Sequence, residues 1–115
     1  MSRLIIRVKG SIVFVGPDEV DYITAAGNYL LVHRGDQTYK VRGTLTALLP
    51  KLDSARFARV HRCTILNLDR INEVKRLKSG DCIVELRDGR SIRMSRTYAR
   101  KVLTPFNPPK ASGFY

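Results

Sequence analysis

Apolar and polar residues alternate with a period of two along most of the chain, the spacing of strands whose side chains point to opposite faces. Leu4, Ile6 and Val8 alternate with Arg3, Ile5, Arg7 and Lys9. Lys9-Gly10-Ser11 reads as a turn, and Ile12 to Val15 pairs back as a hairpin. After a second turn at Gly16-Pro17-Asp18, a third strand is expected over Glu19 to Thr24, carrying Val20 and Ile23. Gly27-Asn28 suits a tight reversal, because both residues tolerate positive φ. Tyr29 to His33 is apolar on both faces and reads as a central strand, with Tyr29 mainly in the core. Gly35-Asp36 then turns the chain into Gln37 to Arg42, where Tyr39 and Val41 point one way and Lys40 and Arg42 the other.

Two stretches change to a helical period. Thr44 can act as an N-cap, and Leu45, Leu48, Leu49 and Leu52 fall at i, i+3, i+4 and i+7. Pro50 predicts that this helix kinks or ends near Leu49. Phe57 to Leu66 reads as one extended segment, followed by a short turn or 3₁₀ piece at Asp69 to Asn72. Glu73 to Leu77 and Cys82 to Arg87 form a hairpin across Ser79-Gly80-Asp81, and Asp88-Gly89 turns into Arg90 to Met94. Ser95 is placed to cap a second short helix, Arg96 to Leu103. From Thr104 onward, Pro105, Pro108, Pro109 and Gly113 prevent regular structure. The pattern predicts a mostly β domain over residues 1–104, built of small antiparallel sheets with two short helices, and a C-terminal tail over 105–115.

Composition changes this picture in one respect. The length of 115 residues and the 43% hydrophobic fraction suit one soluble domain. Charge is the outlying feature: 21 Lys and Arg against 10 acids give a formal +11. Such an excess attracts phosphate polyanions, so nucleic acid is the first partner to consider and an anionic membrane the second. No apolar run approaches the roughly 20 residues of a membrane helix, and Arg7 interrupts Leu4-Ile5-Ile6 too early for a signal peptide. A protein without a membrane partner, in a reducing cytoplasm, is expected. The two cysteines, Cys63 and Cys82, carry no CxxC spacing and suggest no secreted disulfide framework.

The residue types also exclude several chemistries. His61 and Cys63 match no zinc-ligand spacing, and Ser95 lacks the GxSxG setting of a catalytic nucleophile. No enzyme activity, metal or cofactor is expected. Without a long basic helix, helix-turn-helix and zipper modes are poor fits; without Trp or an RNP-type run, so is an RRM. The basic residues fall instead on strand edges, loops and the second helix: Lys40 and Arg42, Arg59 and Arg62, Arg96 and Arg100 among them. A β protein with this pattern reaches base edges through loops or a strand ribbon in the major groove.

Four strings in register then resemble one family. Glu19-Val20-Asp21-Tyr22-Ile23-Thr24-Ala25-Ala26-Gly27-Asn28-Tyr29 resembles the "I-x-Y-I-E-A-x-G-N-Y" opening of the LytTR domain. Tyr39-Lys40-Val41-Arg42-Gly43-Thr44-Leu45 is similar to its strand-to-helix entry, and Phe57 to Asn67 to its "F-x-R-I-H-R-S-x-I-V-N" signature. Asp88-Gly89 with Met94-Ser95-Arg96-Thr97-Tyr98 resembles its closing segment. Cys63 stands where Ser is usual, and Leu66 where Val is common.

The resemblance implies an elongated arrangement of small β-sheets that binds double-stranded DNA by inserting loops into successive major grooves. It implies two copies on a direct repeat, a homodimer on DNA, and an upstream sensor or receiver domain outside this chain. It also implies contacts from Asn28 with Tyr29, from Arg62, and from Arg96 with Thr97. Lys40, Arg42, Arg59 and Arg100 are expected to add charge against phosphates. Plainer readings stand beside these: Asn28 as a turn residue, Arg62 as a solvated strand residue facing away from His61 and Cys63, and Arg100 as compensation of a helix dipole. An RNA-binding β domain and a basic protein-interaction module are the alternative functions.

Overall fold

The computed structural model describes residues 3–104, so the expected tail at 105–115 lies outside the described residues. The chain divides into two compact units, Met1–Arg70 and Ile71–Tyr115.

The first unit begins with a hairpin of β1 (Leu4–Val8) and β2 (Ser11–Val15), as the alternation predicts. Its inner face buries Ile6 and Val15, while Ile5, Ile12 and Phe14 stay exposed. A five-stranded antiparallel sheet follows, in the order β5-β4-β3-β7-β6. Its strands are β3 (Tyr22–Ala26), β4 (Tyr29–Arg34), β5 (Gln37–Arg42), β6 (Phe57–His61) and β7 (Thr64–Asn67). One apolar cluster holds the unit together, with Ile6, Val15, Ile23, Val32, Phe57 and Ile65 among its buried members. Burying each such side chain stabilises the fold by about 1.5–3 kcal/mol.

Three expectations need correcting here. The strand predicted over Glu19 to Thr24 starts later, because Pro17–Glu19 forms a 3₁₀ turn closed by Gly16 N–H donating to Glu19 Oε1 at 2.8 Å. Phe57 to Leu66 is two strands rather than one: β6 and β7 pair antiparallel around a reversal at Arg62-Cys63. Tyr29 is not a core residue. β4 is central in the sheet, yet only Leu30 and Val32 are buried on it, and Tyr29 is 37% exposed on the opposite face.

The first helix, α1 (Leu45–Leu48), starts where predicted, with Thr44 Oγ1 accepting from the Ala47 N–H at 3.2 Å. Pro50 falls in a 3₁₀ turn, Leu49–Lys51, which ends the helix while Leu45 and Leu52 still anchor it in the core. Asp21 is buried but well supplied: it accepts from Gly35 N–H at 2.9 Å and pairs with Arg70 Nε at 3.0 Å. Buried Asn67 likewise donates to Val20 O at 2.8 Å and accepts from Asp69 N–H. These bonds satisfy polar groups that would otherwise destabilise the interior.

The second unit is a three-stranded antiparallel sheet in the order β10-β9-β8, followed by a helix. Its elements are β8 (Ile71–Arg76), β9 (Cys82–Leu86), β10 (Ser91–Met94) and α2 (Arg96–Leu103). Period-two burial recurs at Cys82, Val84 and Leu86 on β9 and at Ile92 and Met94 on β10. On α2 the buried residues are Ala99 and Val102. Cys63 and Cys82 are both free thiols. No helix of the described residues is long and apolar enough to cross a membrane.

Candidate nucleic-acid interface

The antiparallel pairing brings several candidate residues to one end of the five-stranded sheet. β3 reverses into β4 at Gly27-Asn28, where Gly27 takes φ +64. Asn28 itself does not take positive φ, so only the glycine is needed for the tight turn. β5 runs back beside β4 and places Arg42 opposite Tyr29, and Gly43 N–H closes this corner by donating to Asn28 O at 3.1 Å. β7 lies beside β3, and Ala25 N–H donates to Cys63 O at 2.9 Å. The Gly27-Asn28 and Arg62-Cys63 turns therefore project from the same sheet end. Their tips are two strand spacings apart, roughly 10 Å, which lies within the roughly 12 Å width of a B-form major groove.

Asn28, Arg42 and Arg62 are exposed here. The Lys40 ammonium sits 4.4 Å from the Tyr29 ring centroid and the Arg42 guanidinium 5.9 Å from it, so two cations pack on one aromatic ring. The Arg62 backbone is held on both sides. His61 Nδ1 accepts from Cys63 N–H at 3.2 Å, and the Arg59 guanidinium donates to Arg62 O. His61 and Cys63 thus meet across a turn, and Arg62 stands at its tip; the expected alternation along a single strand is absent because the chain reverses here. Further along the outer face, His33 stacks on Tyr22 with ring centroids 4.1 Å apart and bonds Thr24 Oγ1 at 3.0 Å.

In the second unit, Arg96 and Thr97 open α2 and are exposed, and Arg100 is exposed in its last turn. Ser95 occupies the N-cap position without making a side-chain cap bond. Asp81 takes that role: its Oδ1 accepts from Arg96 N–H at 2.8 Å and its Oδ2 from Arg93 Nη2 at 2.8 Å. The Arg93 bond, followed by the Arg96 N–H, holds the Asp81 carboxyl below its ordinary value of 3.8. The Arg96 stem lies against Gly80, which has φ +94; a Cβ there would stand 2.6 Å from Arg96 Cδ. Among the described residues no three His, Cys, Asp or Glu side chains form a group that could hold a metal ion.

The LytTr DNA-binding domain model matches residues 10–106 of the chain. The chain belongs to the LytTR family of DNA-binding domains. It is 30% identical over 102 residues to the sensory transduction protein LytT of Bacillus anthracis, covering 89% of this chain and 42% of that protein. The LytT of Bacillus subtilis (strain 168) is 31% identical over 100 residues, covering 87% of the chain and 42% of the relative. The chain thus spans about two-fifths of the length of these curated relatives. A solved LytTr DNA-binding domain from Bacillus cereus has the same fold, with a TM-score of 0.81 at 21% identity, over 90% of this chain and 98% of that one.

Within the LytTR fold, the sheet end of the first unit gathers Asn28, Tyr29, Arg42 and Arg62, with Lys40 one outward-facing position inward. Arg96, Thr97 and Arg100 lie on α2 in the second unit. Three supporting residues were not singled out by the sequence. Thr46 accepts from Arg59 Nη1 at 3.4 Å, and Asp81 and Gly80 fix the start of α2. Asp81 is visible in the sequence only as the third residue of a turn, because its partners lie 12 and 15 residues further on.

Proposed function

We propose that this LytTR domain reads the base sequence of duplex DNA in transcription regulation. In this reading Asn28 and Arg62 enter the major groove on turns, and Arg96 and Thr97 add contacts from the start of α2. Successive major grooves of a repeated promoter site are the expected target, occupied by two copies of the domain. Lys40, Arg42 and Arg100 neutralise phosphates and set affinity, whereas the turn residues set register and sequence preference. Because the relatives are more than twice as long, the domain is read as the output part of a cytoplasmic regulator with a receiver or sensor elsewhere.

The observation that carries this reading is the state of Arg62. Its backbone is fixed by the bonds of the turn, while its exposed side chain makes no hydrogen bond or ion pair among the described residues. A guanidinium on a rigid support is suited to a bidentate bond with guanine. Asn28, on the neighbouring turn, has the donor and acceptor set for adenine.

The test begins with selection of bound sequences from a random duplex pool, which supplies a cognate site and the spacing of any repeat. Arg62→Ala is then measured on that site and on random duplex. The expected loss is about 1–3 kcal/mol on the cognate site and little on random DNA. Equal losses on both duplexes would reduce Arg62 to a phosphate contact, and a pool that yields no preferred sequence would end the base-reading account.

A further inference from the structure

Arg59 is expected from the sequence to add charge against phosphate; in the structure its half-buried side chain has a guanidinium that bonds two other parts of the chain. One Nη donates to the Arg62 carbonyl oxygen, and the other donates to Thr46 Oγ1 at 3.4 Å. Its Nε is shielded from solvent and has no hydrogen-bond partner among the described residues. A phosphate-binding arginine presents those same nitrogens outward. The backbone is irregular at the same place: β6 carries a register shift between Arg59 and His61, opposite Ile65 and Thr64. A bulge of this kind re-aims a side chain and bends its strand.

We propose that Arg59 is a positioning residue for DNA recognition: it acts through Arg62, by tying the turn that carries Arg62 to the first turn of α1. The inference rests on the reading of Arg62 as a base contact. The physical reason is preorganisation. A bidentate bond to a base edge demands close placement of the guanidinium, and a loose turn must be ordered at the moment of binding. Neither Arg62 nor Cys63 is a residue that favours turns by itself, so the support has to come from neighbouring side chains. Arg59 supplies it from the carbonyl side and His61 from the amide side of the Arg62-Cys63 peptide.

The experiment uses the full chain, the duplex recovered by selection, and a random duplex of equal length. Arg59→Met keeps the stem and removes every donor. The cognate affinity should fall about ten-fold, the scale of one extra group ordered on binding. Affinity for random duplex and the slope of log affinity against log salt should stay unchanged. In the Arg59→Met/Arg62→Ala double variant, the loss should be no larger than that of Arg62→Ala alone, because both substitutions remove the same contact.

A slope reduced by about one, with both duplexes weakened, would make Arg59 a phosphate contact and overturn the proposal. Additive losses on the cognate duplex would also overturn it, since Arg59 would then act independently of Arg62. Arg62→Ala measured alone separates the two ideas: if it weakens both duplexes equally, the reading of Arg62 fails first and the role of Arg59 fails with it. Should Arg59→Met unfold the chain, Arg59→Lys replaces it, with charge and stem retained. One ammonium cannot bridge Thr46 and Arg62 as the guanidinium fork does, so the selective loss should persist. Full retention of specificity in Arg59→Lys would refute the bridge.

Discussion

Lys40→Gln and Arg42→Gln together test whether the outer face of the five-stranded sheet lies against a phosphate backbone. Both side chains are exposed, on the same face of β5, and both stand over Tyr29 rather than beside a carboxylate. Glutamine keeps part of each stem over the ring, so the substitutions remove charge with little loss of packing. Each phosphate neutralised on duplex DNA contributes about 0.9 to the slope of log affinity against log salt, so the double variant should lower that slope by about 1.8. Taken from 1 M to about 0.15 M salt, each contact is worth about five-fold in affinity and the pair about thirty-fold, or about 2 kcal/mol. Fluorescence anisotropy with a labelled duplex, titrated between about 50 and 200 mM salt, reads both quantities. The loss should be the same on cognate and random duplexes. An unchanged slope would show that neither cation meets a phosphate. A loss confined to the cognate site would move Lys40 and Arg42 among the base-reading residues.

Two further outcomes concern the second unit. Gly80→Ala should destabilise the domain by about 1 kcal/mol or more in a denaturant melt, since it combines φ +94 with a 2.6 Å approach to Arg96 Cδ. It should also weaken cognate binding by displacing Arg96; wild-type stability and affinity would remove Gly80 from the support of that residue. Asp81 has a lowered folded value, so its stabilising bonds are complete above the ordinary value of 3.8 and are lost only as pH falls further, through the folded value. The Arg96 amide resonance, followed by NMR from neutral pH downward, should hold its position until that acidic range. A transition near neutral pH would contradict the cap made by Asp81.

The alternation of apolar residues made most of this architecture legible. Ile6 opposite Val13 in the first hairpin, and Cys82, Val84 and Leu86 on β9, fall where period two puts them. The Thr44 cap and the stop imposed by Pro50 were equally plain, because each acts within one turn of helix. Long-range partners were not legible. Tyr29 reads as a core residue from its neighbours Leu30 and Leu31, but its surroundings are set by β5, whose Lys40 and Arg42 arrive from 11 and 13 residues away. Local rules put the cap of α2 on Ser95, while Asp81, 15 residues before Arg96, accepts the Arg96 N–H bond.

The reversal at Arg62-Cys63 shows why the turn proposed to carry a base contact escapes a local reading. Two-residue hairpin loops favour Gly, Asn or Asp, since the turns that match strand twist need positive φ. Here neither Arg62 nor Cys63 takes positive φ, so the turn is of a kind that would splay its strands. Its geometry is restored from outside the loop. The bulge beside Val60 adds local twist, the His61 ring takes the Cys63 amide, and the Arg59 guanidinium takes the Arg62 carbonyl. Turn residues with strong intrinsic preferences would have made this loop visible in the sequence, but they would have left no arginine at its tip. A loop that exposes a guanidinium at its tip therefore relies on the strand leading into it for its shape. The residues doing that shaping, Arg59 and His61, look in sequence like an ordinary cation and an ordinary strand histidine.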